Sequence, residues 1–167
     1  MTFNRRMPPP LRSMGDFQIV RPERSRMKNG MPLNIIRAGS QEVVRLDILI
    51  GGGQWHQTQA LQALFTNRML REGTTTMTSA QIAEKLDYYG AWLELSSAVN
   101  YGFITLYSLN KYFPSTLAII SDMLMNPAFP EKELEVVVES NRQQFLVNST
   151  RVEVIARKLL HRSLFGE

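Results

Sequence analysis

Residues 42–74, EVVRLDILIGGGQWHQTQALQALFTNRMLREGT, contain the strand and the helix that decide the fold of this chain. Residues 42–50 are rich in β-branched and large apolar side chains, which favour a strand. Four apolar residues alternate along this segment and share one face: Val44, Leu46, Ile48 and Ile50. The alternation predicts a strand with one face turned towards the core.

A glycine triplet, residues 51–53, follows this strand and predicts a turn into the next element. No Gly-Lys-Ser/Thr comes after it, so the triplet does not match a phosphate-binding loop. Residues 58–72 then predict a helix, because apolar side chains recur at helical spacing and Gly73 is a natural stop. The apolar stripe of this helix consists of Leu61, Leu64, Phe65 and Met69.

Elements on both sides of this region complete the predicted fold. An extended segment begins at residues 16–20, turns at residues 28–30 and returns at residues 33–37. Later patterns predict helix 80–89 capped by Ser79, strands 91–97 and 101–109, and helices 112–126, 131–147 and 150–164. The order β-β-β-α-α-β-β-α-α-α is typical of an α+β fold, with a largely antiparallel sheet and helices packed on one face.

Length and composition limit the possible classes of protein. The 167 residues are 44% hydrophobic and 20% charged, which is typical of a globular domain. We expect residues 1–15 to form a flexible N-terminal arm and residues 16–167 to form the folded domain. The chain has no cysteine, which excludes disulfides, thiolate metal sites and cysteine nucleophiles within it.

Charge and hydropathy argue against two classes of partner. The formal net charge is +4, but the cations are scattered, so we expect no nucleic-acid partner. No apolar run approaches the ~20 residues of a membrane helix, so we expect no membrane partner. The basic N-terminus is not followed by the apolar segment of a secretory signal, and a cytoplasmic location is therefore favoured.

Several short segments, taken in order, resemble the M16 family of metallopeptidases, the insulinase, pitrilysin and mitochondrial processing peptidase type. The matching segments are Gly53, the helix through Leu70, Gly73-Thr74, the short helix ending at Gly90, Asn126-Pro127-Ala128-Phe129-Pro130, and Ser163-Leu164-Phe165-Gly166. Their order and spacing extend the resemblance over residues 16–167. The resemblance implies an M16-like domain of which this chain is the N-terminal portion, with closing strands beyond Glu167.

In that family a His-x-x-Glu-His helix supplies two zinc ligands and a general base, and a later glutamate supplies the third ligand. The corresponding positions are Leu64 and Arg68 for the histidines, Asn67 for the base, and Gln143 or Gln144 for the later glutamate. None of these side chains suits a zinc ion, and Arg68 places a permanent cation where the metal would lie. The resemblance therefore implies a non-catalytic member without a metal or another cofactor.

Arg68 and the two histidines carry further expectations. If Arg68 is buried, it needs an acidic or carbonyl partner, for which Glu139 and Glu72 are candidates; the alternative is a side chain that reaches solvent. His56 and His161 are the only histidines, and both are expected at the surface or near a cap. An enzyme with a relocated metal or nucleophile is a further alternative, and bound zinc that is lost on mutation of His56 or His161 would indicate it.

The resemblance also suggests partners. Zinc-less members pair with a homologous zinc-bearing subunit and help to enclose a peptide, and a structural or assembly subunit without a peptidase role is the alternative. A peptide would add to a sheet edge at residues 94–100. The edge positions are Leu95, Ser96, Ser97, Ala98 and Val99, unless this strand is simply paired within the sheet. An unpaired edge also favours a homo-oligomer.

Overall fold

The computed structural model describes residues 19–166. The described part of the chain falls into two compact units, which meet in sequence between Gln41 and Glu42. The expected N-terminal arm, residues 1–15, and the predicted start of the first strand at Asp16 lie outside the described residues. Within residues 19–166, none of the helices is both long enough and apolar enough to cross a membrane.

The described part of the first unit is built on a hairpin of strands β1 (Glu23–Arg26) and β2 (Pro32–Ile35). The turn predicted at residues 28–30 is confirmed: Gly30 has a φ of +85°, and the Asn29 side chain accepts a hydrogen bond from the Met31 amide at 3.1 Å. The first strand starts later than the sequence predicted, because residues 19–22 are not part of a strand.

The second unit contains a three-stranded antiparallel sheet with the order β3-β5-β4. The strands are β3 (Val43–Gly51), β4 (Trp92–Ser97) and β5 (Tyr101–Leu109). Strand β5 is central, with Leu46 and Leu93 opposite Leu106 on its two sides. Among residues 19–166, strand β4 is therefore an edge strand of this sheet.

Five helices accompany this sheet in the described residues. They are α1 (Gln62–Met69), α2 (Ser79–Tyr88), α3 (Phe113–Met125), α4 (Glu131–Ser149) and α5 (Val152–Phe165). Thr78, rather than the predicted Ser79, caps α2, because its hydroxyl accepts from the Gln81 amide and the Gln81 side chain accepts from the Thr78 amide. The predicted order and types of elements are thus confirmed.

The core lies between one face of the sheet and the first three helices. Ile104 and Leu106 point from β5 into a cluster that includes Ile82 of α2 and Ile120 of α3, and each of these four side chains is about 1% exposed. Alternate β5 residues face the helices because side chains alternate along a strand. The predicted α+β fold with helices on one face of an antiparallel sheet is confirmed.

Helix α1 differs from the prediction in its start and in its buried face. It begins at Gln62, because Leu61 adopts a left-handed conformation (φ +67°) and is 49% exposed. The predicted apolar stripe is therefore wrong at Leu61. The buried face includes the small residue Ala63 and the polar residue Asn67. Both side chains are short, which allows the helix to approach the sheet closely.

Candidate functional site

The candidate site lies on α1, which packs against both the edge strand β4 and helix α4. Leu64 and Arg68 are half-buried on this helix and Asn67 is buried. Helix α4 has an inward stripe of three half-buried residues, Glu133, Val137 and Asn141. Their four-residue spacing places them on one face of the helix. The positions that the sequence identified on α1 therefore lie at the border between the sheet and α4.

Arg68 reaches across this border. Its guanidinium Nη1 donates a hydrogen bond to the side-chain carbonyl oxygen Oδ1 of Asn141 at 2.8 Å. A carbonyl partner was expected, but the two named candidates are wrong. Glu139 instead accepts from Arg142 at 3.0 Å, and Glu72 lies 3.7 Å from Arg71. Glu139 falls outside the inward stripe of α4, which explains why it does not reach Arg68.

The two glutamines on α4 have different positions. The Gln143 amide donates to Glu139 at 2.7 Å on the exposed side of the helix. This hydrogen bond, followed by the one from Arg142, lowers the pKa of Glu139. Gln144 is also exposed, but it follows Asn141 by three residues and so lies on the side of α4 that faces α1. Of the two, Gln144 is better placed to belong to the site.

Asn67, which the sequence predicted at the position of the general base, is directed towards the sheet. It is 6% exposed, and its Nδ2 would lie 3.0 Å from a Cβ added to Gly102 of β5. The Asn67 Oδ1 atom has no hydrogen-bond partner among the described residues, and neither does Ser97 Oγ on β4. Ser97 is paired with Gly102, so the two unpartnered groups lie on the same side of the sheet.

The charges next to the site come from two carboxyl groups at the end of α1 and the start of α4. Burial raises the pKa of Glu72, Arg71 opposes this shift, and the neighbouring Glu133 adds to it. Arg68 makes no ion pair with either carboxyl group, and none of the ion pairs among residues 19–166 involves it. Within the described structure, the half-buried guanidinium therefore donates to the neutral side-chain amide of Asn141 and makes no ion pair.

This set of side chains does not fit a zinc ion. Leu64 has no donor atom, Arg68 is a cation, and the amides of Asn141 and Gln144 are poor zinc ligands. Nowhere in the described part of the chain do three His, Asp or Glu side chains come together in a group that could hold a metal. His56 and His161 are both exposed, and His161 contacts Phe165 on its own helix.

The edge strand β4 presents backbone groups beside this helix. The Ala98 amide bonds to the Tyr101 carbonyl at 2.9 Å, which fixes the alternation of the hydrogen-bonded pairs. Leu93, Leu95 and Ser97 then direct their amide and carbonyl groups away from β5, towards the free edge. Ala98 offers no such outward groups: its amide bonds to Tyr101, and its carbonyl accepts a hydrogen bond from the Gln54 amide at 3.0 Å.

The tip of the β4–β5 hairpin is closed by the segment after β3. The Val99 carbonyl accepts from the Trp55 amide at 2.8 Å, and Gly53 lies directly against the tip. Of the five positions expected at a peptide edge, the structure places three, Leu95–Ser97, in the edge strand and two, Ala98 and Val99, at this closed tip.

Sequence reasoning missed three residues that shape this site. Asn141 is the partner of Arg68, Gly102 admits the Asn67 side chain, and Ser97 carries the second unpartnered group. The four-residue spacing of Glu133, Val137 and Asn141 in the sequence could have indicated that Asn141 faces α1. Gly102 and Ser97 had no signal in the sequence, because their roles depend on strand register.

Known proteins resemble this chain in sequence. The model of the insulinase family, peptidase family M16, matches residues 35–167. An uncharacterized zinc protease, YmxG, of Bacillus subtilis (strain 168) is 22% identical over 141 residues, covering 83% of this chain and 34% of the relative. An uncharacterized zinc protease of Rickettsia bellii (strain RML369-C) is 28% identical over 116 residues, covering 66% of this chain and 27% of the relative.

Solved structures agree in fold. A peptidase M16 inactive domain from Pseudomonas fluorescens superposes with a TM-score of 0.73 at 18% identity, over 84% of this chain and 35% of that one. A protease from Helicobacter pylori gives a TM-score of 0.67 at 14% identity, over 78% of this chain and 32% of that one. The chain thus spans about a third of the length of these relatives and solved neighbours. By the match to the family model over most of its length, the chain belongs to the M16 peptidase family.

Proposed function

We propose that this chain is a non-catalytic M16 domain that pairs with a homologous zinc-bearing subunit or domain and helps to bind or enclose a peptide. The observation that carries the proposal is the pair Leu64 and Arg68 on α1, at the positions where the family has its two histidines. A side chain without a donor and a permanent cation together leave nothing to replace the water that a zinc ion would lose.

The position of the general base supports the same conclusion. An amide cannot take a proton from water near neutral pH as a carboxylate can. Asn67 is moreover directed into the contact between α1 and the sheet, against Gly102. Restoring a carboxylate at this position alone would therefore bury a charge and would not create a base beside a reacting water.

The edge strand β4 supports the peptide-binding part of the proposal. Leu93, Leu95 and Ser97 offer outward amide and carbonyl groups in the repeating pattern that an added strand requires. The side chain of Arg68 lies on the helix that packs against this strand. A peptide paired with β4 would extend the sheet and run beside the altered zinc site.

The names of the relatives support only part of this proposal. One solved neighbour is described as an inactive domain, whereas both curated relatives are named zinc proteases. Those names belong to whole proteins of which this chain matches about a third. The role of a partner subunit is therefore proposed on the side chains at the site and on the free edge of β4.

A pairing experiment tests the proposal. We expect the chain to co-purify with an M16 protein that carries an intact His-x-x-Glu-His motif, and the mixture to cleave peptides faster than that protein alone. Ser97→Pro removes one outward amide of β4, whereas Ser97→Ala removes the hydroxyl and keeps the amide. A loss of the stimulation with Pro but not with Ala supports binding at the edge.

Two results would overturn the proposal. Stable association without any effect on peptide cleavage or peptide binding favours the structural or assembly role instead. Stoichiometric zinc in the purified chain, lost after His56→Ala or His161→Ala, would establish a relocated metal site. Zinc analysis of the chain alone and of both variants separates these outcomes.

A further inference from the structure

The guanidinium of Arg68 has unused hydrogen-bonding capacity. One of its five N–H groups donates to Asn141, and no carboxylate of residues 19–166 pairs with it. The side chain is half-buried, so solvent compensates its charge only in part. A guanidinium in such a position gains strongly from an anionic partner, because unpaired burial of charge is costly.

The neighbours of Arg68 favour an anion over a cation. Asn141 uses its carbonyl oxygen for Arg68, which leaves its Nδ2 group as a second donor. Gln144, one helical turn further on the same side of α4, adds another amide. Leu64, one turn before Arg68 on α1, is half-buried and supplies an apolar wall. Donors therefore outnumber acceptors among these neighbours of the guanidinium, and the nearby carboxyl groups of Glu72 and Glu133 do not pair with it within residues 19–166.

A carboxylate matches this arrangement in shape and in charge. Its two oxygen atoms fit the planar fork of a guanidinium, and its single negative charge balances the single cation. A phosphate dianion would leave one charge without a counter-charge. We propose that Arg68, supported by Asn141 and Gln144, is a carboxylate-binding site that receives the C-terminal or an acidic side-chain carboxylate of a peptide.

The two parts of this inference depend on different observations. The recognition of a carboxylate stands on the contacts of Arg68 alone. The identification of the ligand as a peptide rests on the proposed function, in which a peptide pairs with strand β4. Arg68 lies near that strand because α1, the helix that carries Arg68, packs against β4. The experiments below separate the two.

The first experiment titrates the chain with sodium acetate at constant ionic strength and follows the side-chain Nε–H resonances of the arginines by NMR. We expect the Arg68 resonance to shift and to saturate, and Arg71, which is exposed and lies three residues away, to respond far less. Arg68→Gln assigns the resonance, and Arg71→Gln is the matched control. An Arg68 resonance that does not move, or that moves no more than that of Arg71, overturns the inference.

The second experiment compares three versions of one extended peptide: a free C-terminus, an amidated C-terminus, and an amidated peptide with one added glutamate. We expect amidation or Arg68→Gln to weaken binding of the first peptide about tenfold or more, as for a lost hydrogen bond to a charged group. Arg71→Gln should change binding less than twofold. Recovery of affinity with the added glutamate identifies a side-chain carboxylate as sufficient; no recovery assigns the site to the C-terminus.

The outcomes distinguish this inference from the proposed function. Equal binding of the free and amidated peptides, unaffected by Arg68→Gln, overturns the carboxylate site and leaves peptide binding at the edge intact. An Arg68 response to acetate without binding of any peptide upholds the carboxylate site and counts against the proposed function. Circular dichroism of each variant confirms that its helix content is unchanged.

Discussion

The helices of the second unit differ in how they are held. Helices α2 and α3 bury large apolar side chains against the sheet, including Ile82, Ile120 and Met123, each about 1% exposed. Helices α4 and α5 bury none of their described residues, although they contain many apolar side chains. Phe145 and Leu160, for example, are 57% and 56% exposed. The described core therefore lies on the sheet side, and α4 and α5 add no fully buried residue to it.

The candidate site lies where these two regions meet. Helix α1 belongs to the sheet side through Ala63 and Asn67, and it touches α4 through Arg68 and Asn141. The Asn67 contact is buried, whereas the Arg68 contact is half-buried and can reach solvent. One part of the site is therefore enclosed between α1 and the sheet, and the adjacent part is accessible to solvent.

The largest change in the free energy of unfolding is expected in the core. Ile120→Ala removes a side chain that is 1% exposed and should lower the free energy of unfolding by about 2–5 kcal/mol, through lost burial and a residual cavity. Leu160→Ala, at a position 56% exposed, should change it by less than about 0.5 kcal/mol. Urea unfolding followed by circular dichroism measures both. Similar costs for the two variants would contradict the assignment of the core.

The next largest effect is expected at the end of the sheet. A Cβ on Gly53 would lie 2.4 Å from the Ala98 carbonyl oxygen and 2.5 Å from the Tyr101 amide nitrogen, and backbone atoms cannot easily yield. Gly53→Ala should therefore cost about 1–3 kcal/mol through overpacking. Gly51→Ala is the matched control, because no atom lies within 4 Å of its added Cβ. Equal stability of the two variants would show that the hairpin tip is not held by this segment.

Much of the fold could be predicted from the sequence, because apolar periodicity reports which face of a strand or helix is buried. The alternation in β3 follows this rule from Val44 to Ile48 but is wrong at Ile50, which is 39% exposed, and the elements β3 and α3 both occur as predicted. The start of α1 could not be read in this way. Leu61 continues the apolar pattern but takes a left-handed conformation, a backbone choice that no periodicity records.

Less of the candidate site than of the fold could be predicted from the sequence. The spacing from Gly73 identified Leu64, Asn67 and Arg68, but it could not show which of them is buried. Partners across the border depend on how two helices are rotated against each other, so Glu139 was a reasonable but incorrect candidate where Asn141 occurs. The assignment of the later glutamate to Gln143 or Gln144 remains a prediction, for which the side of α4 facing α1 favours Gln144.

The contact between Asn67 and the sheet can be tested by a double-mutant cycle. A Cβ on Gly102 would lie 3.0 Å from Asn67 Nδ2, so Gly102→Ala should cost about 1 kcal/mol as the amide is displaced. In an Asn67→Ala background the same change should cost less, because the displaced group is absent. The interaction free energy from urea unfolding of the four proteins measures this. Strict additivity would show that the two residues do not share a contact.

The smallest effect is expected at Glu72, where the sheet side meets α4. Burial raises the pKa of Glu72 above the ordinary value of 4.5, Arg71 opposes this shift, and Glu133 adds to it. A raised pKa means that the folded state holds the proton more tightly than the unfolded state. The contribution of Glu72 to stability is then fully favourable below pH 4.5 and is lost as the pH rises through the folded pKa. Glu72→Gln should flatten the fall in stability over this interval and slightly raise stability at pH 7. Unfolding midpoints in urea measured from pH 4 to pH 7 test this, and a steeper fall in the Glu72 variant would mean that the carboxylate is stabilised at this border.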